Sequence, residues 1–160
     1  FLENPANPAT MLVLRELQAI AQPLGVAVQI LDASSRSNVE RAFSTIARER
    51  IGGIFVGISA GILEQGPQIV EAAARQRVPA IFQRKEYVEA GGLLSYGADV
   101  SAIYSRAADL VHRVLEGTKP AEMPFEQASA FKLVVNLKTA KALGIKIPQS
   151  VLVRADEVIQ

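Results

Sequence analysis

Residues 93–117 read LLSYGADVSAIYSRAADLVHRVLEG, and residues 131–148 read FKLVVNLKTAKALGIKIP. In the first stretch a short apolar run ends in the turn at 95–99, and a helix pattern starts at Val100 without a linker. Its apolar residues recur at helical spacing, at Ile103, Ala107, Leu110, Val111 and Val114. In the second stretch an extended apolar run passes into a short helix pattern that Gly144 ends. Strand followed at once by helix is the unit of an α/β domain.

The rest of the chain repeats this alternation towards the N-terminus. Helices are predicted over residues 10–24, over 67–77, and from a capping box at Ser37-x-x-Glu40 to about Arg50. Short apolar strands are predicted over residues 26–31, 53–58, 78–82 and 93–96. Residues 123–135 are predicted to be extended, and residues 151–159 show no clear pattern. Helices between short buried strands predict βαβ units and therefore an α/β fold, a parallel sheet flanked by helices.

Composition limits the classes of partner. The chain has 160 residues, 49% of them hydrophobic, which is enough for one globular domain with a real core. With 17 basic and 16 acidic side chains the net charge is +1, so no nucleic-acid partner is expected. No apolar run reaches the ~20 residues that span a bilayer. Cysteine is absent, which excludes disulfides and thiolate metal sites.

Catalytic signatures are missing. The sequence contains no phosphate-binding P-loop, no dinucleotide-binding glycine motif and no nucleophile elbow. His112 is the single histidine and falls within the body of a predicted helix, where a surface histidine is the better interpretation. Glu86 and Glu89 lack a third metal ligand nearby. We therefore expect no enzyme activity, no catalytic residue, no cofactor and no metal.

Polar loops follow the predicted strands, and ligands of open parallel sheets bind at the carboxyl ends of the strands. The candidate ligand-binding residues in these loops are Asn4, Asn7, Ser59, Ala60, Arg84, Glu86, Ser95, Tyr96, Gly97 and Asp99. Asparagine, serine and aspartate at such positions also cap helices, and this alternative stays open for Asn4, Asn7, Ser59 and Asp99. Arg84 and Glu86 are charged and could instead be solvated. We expect the four loops to line one cleft.

The sequence of residues 93–108 and 136–148 resembles that of periplasmic substrate-binding proteins of ABC transporters, which have the type I fold. The resemblance is to the branch that includes tryptophan- and tyrosine-type binders. Members of that branch tend to carry a Thr-Asp-Asn type loop where this chain has Ile58-Ser59-Ala60-Gly61. The resemblance implies two lobes that close on a ligand. It assigns residues 1–96 to the second lobe, 97–120 to a return towards the first lobe, and 121–160 to a crossover arm and a C-terminal segment that packs back on the second lobe.

The resemblance also implies a function. The protein would be the solute-binding component of an ABC importer, capturing a small polar or amphipathic molecule, such as an amino acid or a related compound, and delivering it to the permease subunits. The location would be periplasmic, or extracytoplasmic with a membrane anchor. An alternative is the effector-binding lobe of a transcription regulator, which shares the two-lobed fold. A cytosolic α/β enzyme of another type is a third hypothesis.

Phe1-Leu2 has the pattern of a strand end, and no signal peptide precedes it, so the chain is interpreted as a fragment that lacks most of the first lobe. In that interpretation the apolar stripe of the helix at 100–116 loses its usual packing partner. An uncovered stripe of five apolar residues is of the size that marks an interaction surface. We therefore expect a homodimer of the chain.

Overall fold

The computed structural model describes residues 1–127 and 129–160. Within these described residues, seven strands and seven α-helices alternate for most of the length. The strands are β1 (Leu2–Glu3), β2 (Leu31–Asp32), β3 (Ile54–Phe55), β4 (Ala80–Phe82), β5 (Leu94–Ala98), β6 (Phe131–Asn136) and β7 (Glu157–Ile159). The helices are α1 (Pro8–Ala21), α2 (Arg36–Glu49), α3 (Ala60–Gln76), α4 (Lys85–Glu89), α5 (Val100–Leu115), α6 (Leu137–Leu143) and α7 (Gln149–Leu152). Two 3₁₀ turns, Gln22–Leu24 and Pro120–Glu122, complete the described elements.

The sheet is mostly parallel, as the alternation predicts. β1 pairs with β2, and a five-stranded sheet runs in the order β3-β4-β5-β6-β7. A single parallel bridge between Leu2 and Val56 joins the two sheets. All pairings are parallel except that of β5 with β6. The carboxyl ends of β1, β2, β3, β4 and β5 therefore meet along one edge, which is where the ligand site of an open α/β sheet lies.

The core lies between the sheet and the helices α2 and α3. Strand residues such as Leu2, Ile54 and Phe82 are at most 5% exposed and pack with Ile46 and Ile69 from the two helices. Burying one such side chain contributes roughly 1.5–3 kcal/mol. This packing fixes where the strands end, and thereby where the loops of the candidate site begin.

Three helix starts differ from the sequence prediction. α1 begins at Pro8, two residues before the predicted start at Thr10. The cap of α2 is Ser35, whose Oγ accepts the Asn38 N–H at 3.3 Å, so the predicted capping box at Ser37 is wrong. The first turns of α3, before Pro67, were missed because proline inside a helix cannot donate its backbone hydrogen bond. Here the Leu63 carbonyl, four residues earlier, accepts the Tyr87 hydroxyl at 3.0 Å. That contact replaces the missing N–H.

The C-terminal part adds two strands to the same sheet. β6 lies antiparallel to β5, with Gly97 opposite Lys132, and β7 lies parallel to β6. Of the predicted extended segment 123–135, residues 131–135 are confirmed as part of β6, and residue 128 lies outside the described residues. β7 falls where no element was predicted. The buried Asn136 ends β6: its Oδ1 accepts the Thr139 N–H at 3.0 Å and so caps α6.

Helix α5 contrasts with the other long helices because it contributes no buried residue. Its apolar side chains are exposed, among them Ile103 at 42% and Val111 at 59%. Leu110 and Val114, with the 3₁₀ turn and Phe125, surround an apolar groove of about 490 Å³. Within the described part of the chain, no helix is both long and apolar enough to cross a membrane.

Candidate functional site

A polar cavity of about 120 Å³ lies where β4 and β5 end. Its lining combines both charges with small and hydroxylated residues: Gln83, Arg84, Lys85, Glu86, Ser95, Gly97, Ala98, Asp99, Val100, Ser101 and Lys132. Five of the predicted site residues, Arg84, Glu86, Ser95, Gly97 and Asp99, are therefore brought together. They lie in β5 and the residue that follows it, and in the segment that leaves β4; the two segments are adjacent because β4 and β5 are neighbouring parallel strands.

Arg84 and Glu86 form an ion pair at one wall of the cavity. The guanidinium donates to both carboxylate oxygens, from Nη2 at 3.1 Å and from Nε at 3.3 Å. This hydrogen bond lowers the pKa of Glu86 and raises that of Arg84. The side chains are 34% and 52% exposed, so both groups stay charged and within reach of a ligand. A polar ligand could take one hydrogen bond from either partner.

Asp99 and Lys132 form a second ion pair in the lining of the same cavity. Lys132 Nζ lies 2.8 Å from Asp99 Oδ2, while Asp99 Oδ1 accepts the N–H groups of Ser101 and Ala102 at the start of α5. The hydrogen bond from Lys132 is the main cause of the lowered pKa of Asp99, and the two amides add to it. Asp99 is thus the N-cap of α5, as the capping alternative stated, and also a charged group of the cavity.

Gly97 is required by the close approach of β5 to the chain that leaves β4. A Cβ at this position would lie 1.9 Å from the Gln83 carbonyl oxygen. The space next to Gly97 is therefore filled by the backbone of Gln83, another residue of the cavity lining. Ser95 is 2% exposed, whereas Tyr96 is 55% exposed and stacks on Phe131 with ring centroids 5.7 Å apart. Tyr96 is not part of the cavity lining.

The remaining predicted residues lie farther along the same edge, outside the cavity. Asn7 caps α1 by accepting the Ala9 N–H at 3.1 Å, and Asn4 accepts the Ala6 N–H at 2.9 Å within a turn. Ser59 is the N-cap residue of α3 without a capping side-chain bond, and Ala60 is the exposed first residue of that helix. The predicted residues thus form two groups at one edge of the sheet, one in the cavity and one at residues 4–7 and 59–60. Gln83 connects the two regions, because its Nε2 donates to the Val56 carbonyl at 3.4 Å.

Three residues that matter to this edge were not predicted. Lys132 reaches the cavity through the antiparallel pairing of β5 with β6, which no local pattern indicates. Gln83 belongs to a predicted loop, but amide side chains in loops are common and gave no specific signal. Glu3 carries a buried carboxylate that contacts the loop at Ser59. A charged residue placed directly after an apolar strand was the available signal for Glu3.

The arrangement suits recognition of a small molecule. Each of the two ion pairs in the lining supplies a donor and an acceptor of opposite charge, and backbone N–H groups of the first turn of α5 lie beside Asp99. His112 is on the surface of α5, its side chain 71% exposed, with Nε2 3.3 Å from Glu116 Oε1. Among residues 1–127 and 129–160 no group of three or more histidine or acidic side chains is placed to hold a metal ion.

Comparison with known proteins places these features in a family. Residues 1–159 match the family described as ABC transporter substrate binding protein. A tyrosine-binding protein of Clostridioides difficile (strain R20291) is 26% identical over 113 residues, which are 71% of this chain and 32% of that protein.

Two solved structures are also similar to this chain in fold and sequence. An ABC domain of Streptococcus pneumonia in complex with L-Trp superposes with a TM-score of 0.84 at 29% identity, over 99% of this chain and 55% of that one. A conserved domain protein of Vibrio cholerae O1 biovar El Tor gives a TM-score of 0.85, also at 29% identity, over 98% and 53%. The chain spans about half the length of these structures. By its match over residues 1–159, the chain belongs to the ABC transporter substrate binding protein family, a family of binding proteins.

Proposed function

We propose that this chain is the ligand-binding lobe of the solute-binding component of an ABC importer. The solute is a small polar or amphipathic molecule, an amino acid or a related compound, which the protein captures and delivers to the permease subunits. One observation carries the proposal: residues 1–159 match the family described as ABC transporter substrate binding protein. The relatives that bind L-Trp and tyrosine, by their titles, support an amino acid as the solute class. The same match does not favour the transcription-regulator alternative.

The proposed binding surface is the carboxyl edge of the sheet. The cavity with its two ion pairs, Arg84–Glu86 and Asp99–Lys132, would hold the charged part of the solute. The group formed by Asn4, Ser59 and Ala60 would meet another part of it. We propose binding rather than catalysis, because the only histidine lies exposed on α5 with Glu116 as its neighbour. A location outside the cytoplasm, periplasmic or membrane-anchored, follows from the proposed role.

The proposed lobe organisation assigns residues 1–96 to the second lobe and residues 97–120 to a return towards the first lobe. Residues 121–160 would then cross back and pack on the second lobe. Support comes from α5, which has no buried residue in this chain and so lacks a packing partner. The exposed stripe of α5 also supports a homodimer when the chain is isolated. A protein of the relatives' length would cover the stripe and would bind solute more tightly than this chain, because the first lobe would add contacts and exclude water.

The test is calorimetric titration of the protein, at the length of its relatives, with the L-amino acids and their simple derivatives. We expect saturable binding of at least one compound, weakened about tenfold or more by Arg84→Met, since hydrogen bonds to charged groups contribute about 1.5–3 kcal/mol. Arg48→Met is the matched control, because Arg48 forms a similar exposed ion pair with Glu49 at 3.0 Å on α2. Equal losses in both variants would contradict the proposed site, and no binding of any compound would contradict the proposed solute class.

A further inference from the structure

The buried carboxylate of Glu3 is held at the edge of the site without a basic partner. Glu3 is 5% exposed, and its Oε1 accepts the Asn4 N–H at 2.8 Å and the Ser59 hydroxyl. Its Oε2 accepts the N–H groups of Ile58 at 3.1 Å and Ser59 at 3.3 Å. Two hydrogen bonds to each oxygen fix the position of the carboxylate and join the end of β1 to the loop between β3 and α3.

Gly57 makes this contact possible. A Cβ built at Gly57 would lie 1.8 Å from Glu3 Oε2 and 2.6 Å from the carboxyl carbon. The backbone that leaves β3 therefore passes directly over the carboxylate, and any side chain at this position would displace it. Glu3 and Gly57 form a matched pair, so the position of the charge is built into the fold.

The charge lies at the start of a long helix. Ser59 is the N-cap of α3, which has 17 residues, but its hydroxyl donates to Glu3 and makes no capping bond to the helix. The positive end of a helix favours a nearby anion, and here the protein's own carboxylate takes that place. Within residues 1–127 and 129–160, no lysine, arginine or histidine nitrogen lies within 4.0 Å of the Glu3 carboxylate.

We infer that Glu3 is a specificity-determining residue that keeps anionic ligand groups away from the loop at residues 58–61. The inference rests on the proposed function, in which part of the solute meets Asn4, Ser59 and Ala60. A second negative charge about 6 Å from the carboxylate is disfavoured by at least about tenfold in affinity at the dielectric typical of protein surfaces. The solute group that meets this loop is therefore neutral or cationic, and a solute carboxylate binds at the Arg84 and Lys132 side of the site.

The experiment uses inorganic sulfate as the anion probe and NMR of the amide groups of Ala60, Gly61 and Ile62 in the protein at constant ionic strength. The wild type is expected to give little or no shift with sulfate. Glu3→Gln keeps the size of the side chain and an acceptor oxygen but removes the charge, and it is expected to lower the half-saturating sulfate concentration at least about tenfold. Glu64→Gln, which removes an exposed charge from the same helix, is the matched control and is expected to respond like the wild type.

Several outcomes overturn the inference. The inference is wrong if sulfate binds at the α3 amides of the wild type as strongly as in Glu3→Gln. It is also wrong if the amides of Glu3→Gln do not respond to sulfate. The wild-type titration decides even if the Glu3→Gln variant does not fold, because saturable sulfate binding at these amides in the wild type contradicts the exclusion. Since the titration needs no solute, it separates this inference from the proposed function, whose own test is calorimetry.

Discussion

Replacing Gly97 by alanine tests how the cavity is formed. The new Cβ would lie 1.9 Å from the oxygen and 2.8 Å from the carbon of the Gln83 carbonyl, and both atoms belong to the backbone. A flexible side chain could change rotamer to relieve such a contact, but the Gln83 carbonyl is part of the backbone and cannot. β5 must therefore move away from the chain that leaves β4, and the two ion pairs of the cavity must move apart with it.

The size of the effect follows from the cost of overpacking. Adding one carbon to a filled space typically costs about 1–3 kcal/mol. For a domain of this length that corresponds to a lower melting temperature by roughly 2–12 °C. We also expect the Gly97→Ala protein to lose solute affinity, because a movement of β5 would change the distance between the two ion pairs of the cavity.

Urea unfolding of Gly97→Ala and of a control variant, Gly52→Ala, measures this cost. A Cβ at Gly52 meets nothing within 4 Å, so Gly52→Ala is expected to be neutral or to gain up to about 1 kcal/mol from the less flexible unfolded chain. The difference between the variants isolates the contact with Gln83. If Gly97→Ala unfolds at the same urea concentration as Gly52→Ala, the close approach of β5 to the Gln83 carbonyl does not shape the site.

Three further predictions concern other contacts. Tyr87→Phe should lower the free energy of unfolding by about 0.5–1.5 kcal/mol, because the hydroxyl bond to α3 is lost, whereas Tyr104→Phe, 73% exposed, should have no effect in the same urea titration. The hydrogen bond from Lys132 lowers the pKa of Asp99. The stabilisation of the fold by charged Asp99 is therefore present above the unfolded aspartate pKa of about 3.9 and is lost as pH falls through the lower folded value. Asp99→Asn should reduce that loss when the free energy of unfolding is measured across acidic pH. The isolated chain should self-associate in sedimentation at high concentration, and Val111→Lys should keep it monomeric; a wild type that stays monomeric at every concentration would contradict the homodimer proposal.

Local patterns predicted the parallel part of the fold. The boundaries of α6 are those predicted, because a short apolar helix pattern between Asn136 and Gly144 contains its own cap and stop signals. Helix α5 begins at the predicted residue, because Asp99 is its cap signal, and it ends at Leu115, one residue before the predicted end. β2, β3 and β4 are shorter than predicted, and β2 contains only Leu31 of the predicted residues 26–31. Apolar patterns do not indicate where ladder hydrogen bonds stop.

Long-range pairing was out of reach of the sequence. The antiparallel pairing of β5 with β6 depends on contacts between residues more than thirty positions apart, and nothing in either strand specifies its direction. This is why Lys132 was not identified while Arg84 and Asp99, which follow strands locally, were. The continuation of α3 through Pro67 likewise depends on Tyr87, a residue twenty positions away.

Capping and binding could not be separated from the sequence alone. The structure assigns Asn7 and Asp99 to capping bonds, and Asp99 also pairs with Lys132 in the cavity. A residue type that suits both roles leaves the choice to the tertiary neighbourhood. Glu3 is the opposite case, because its burial depends on Gly57, whose position above the carboxylate only the assembled sheet defines.

The most direct test of the account is amide hydrogen exchange of the protein, at the length of its relatives, with and without the amino acid that raises its melting temperature most. The account predicts added protection at the carboxyl edge of the sheet, in residues 57–61, 83–86 and 95–101. Residues 25–30 and 50–53, at the opposite edge, should exchange unchanged. Protection confined to that opposite edge, or no amino acid that raises the melting temperature at all, would contradict the claim that this edge binds the solute of an ABC importer.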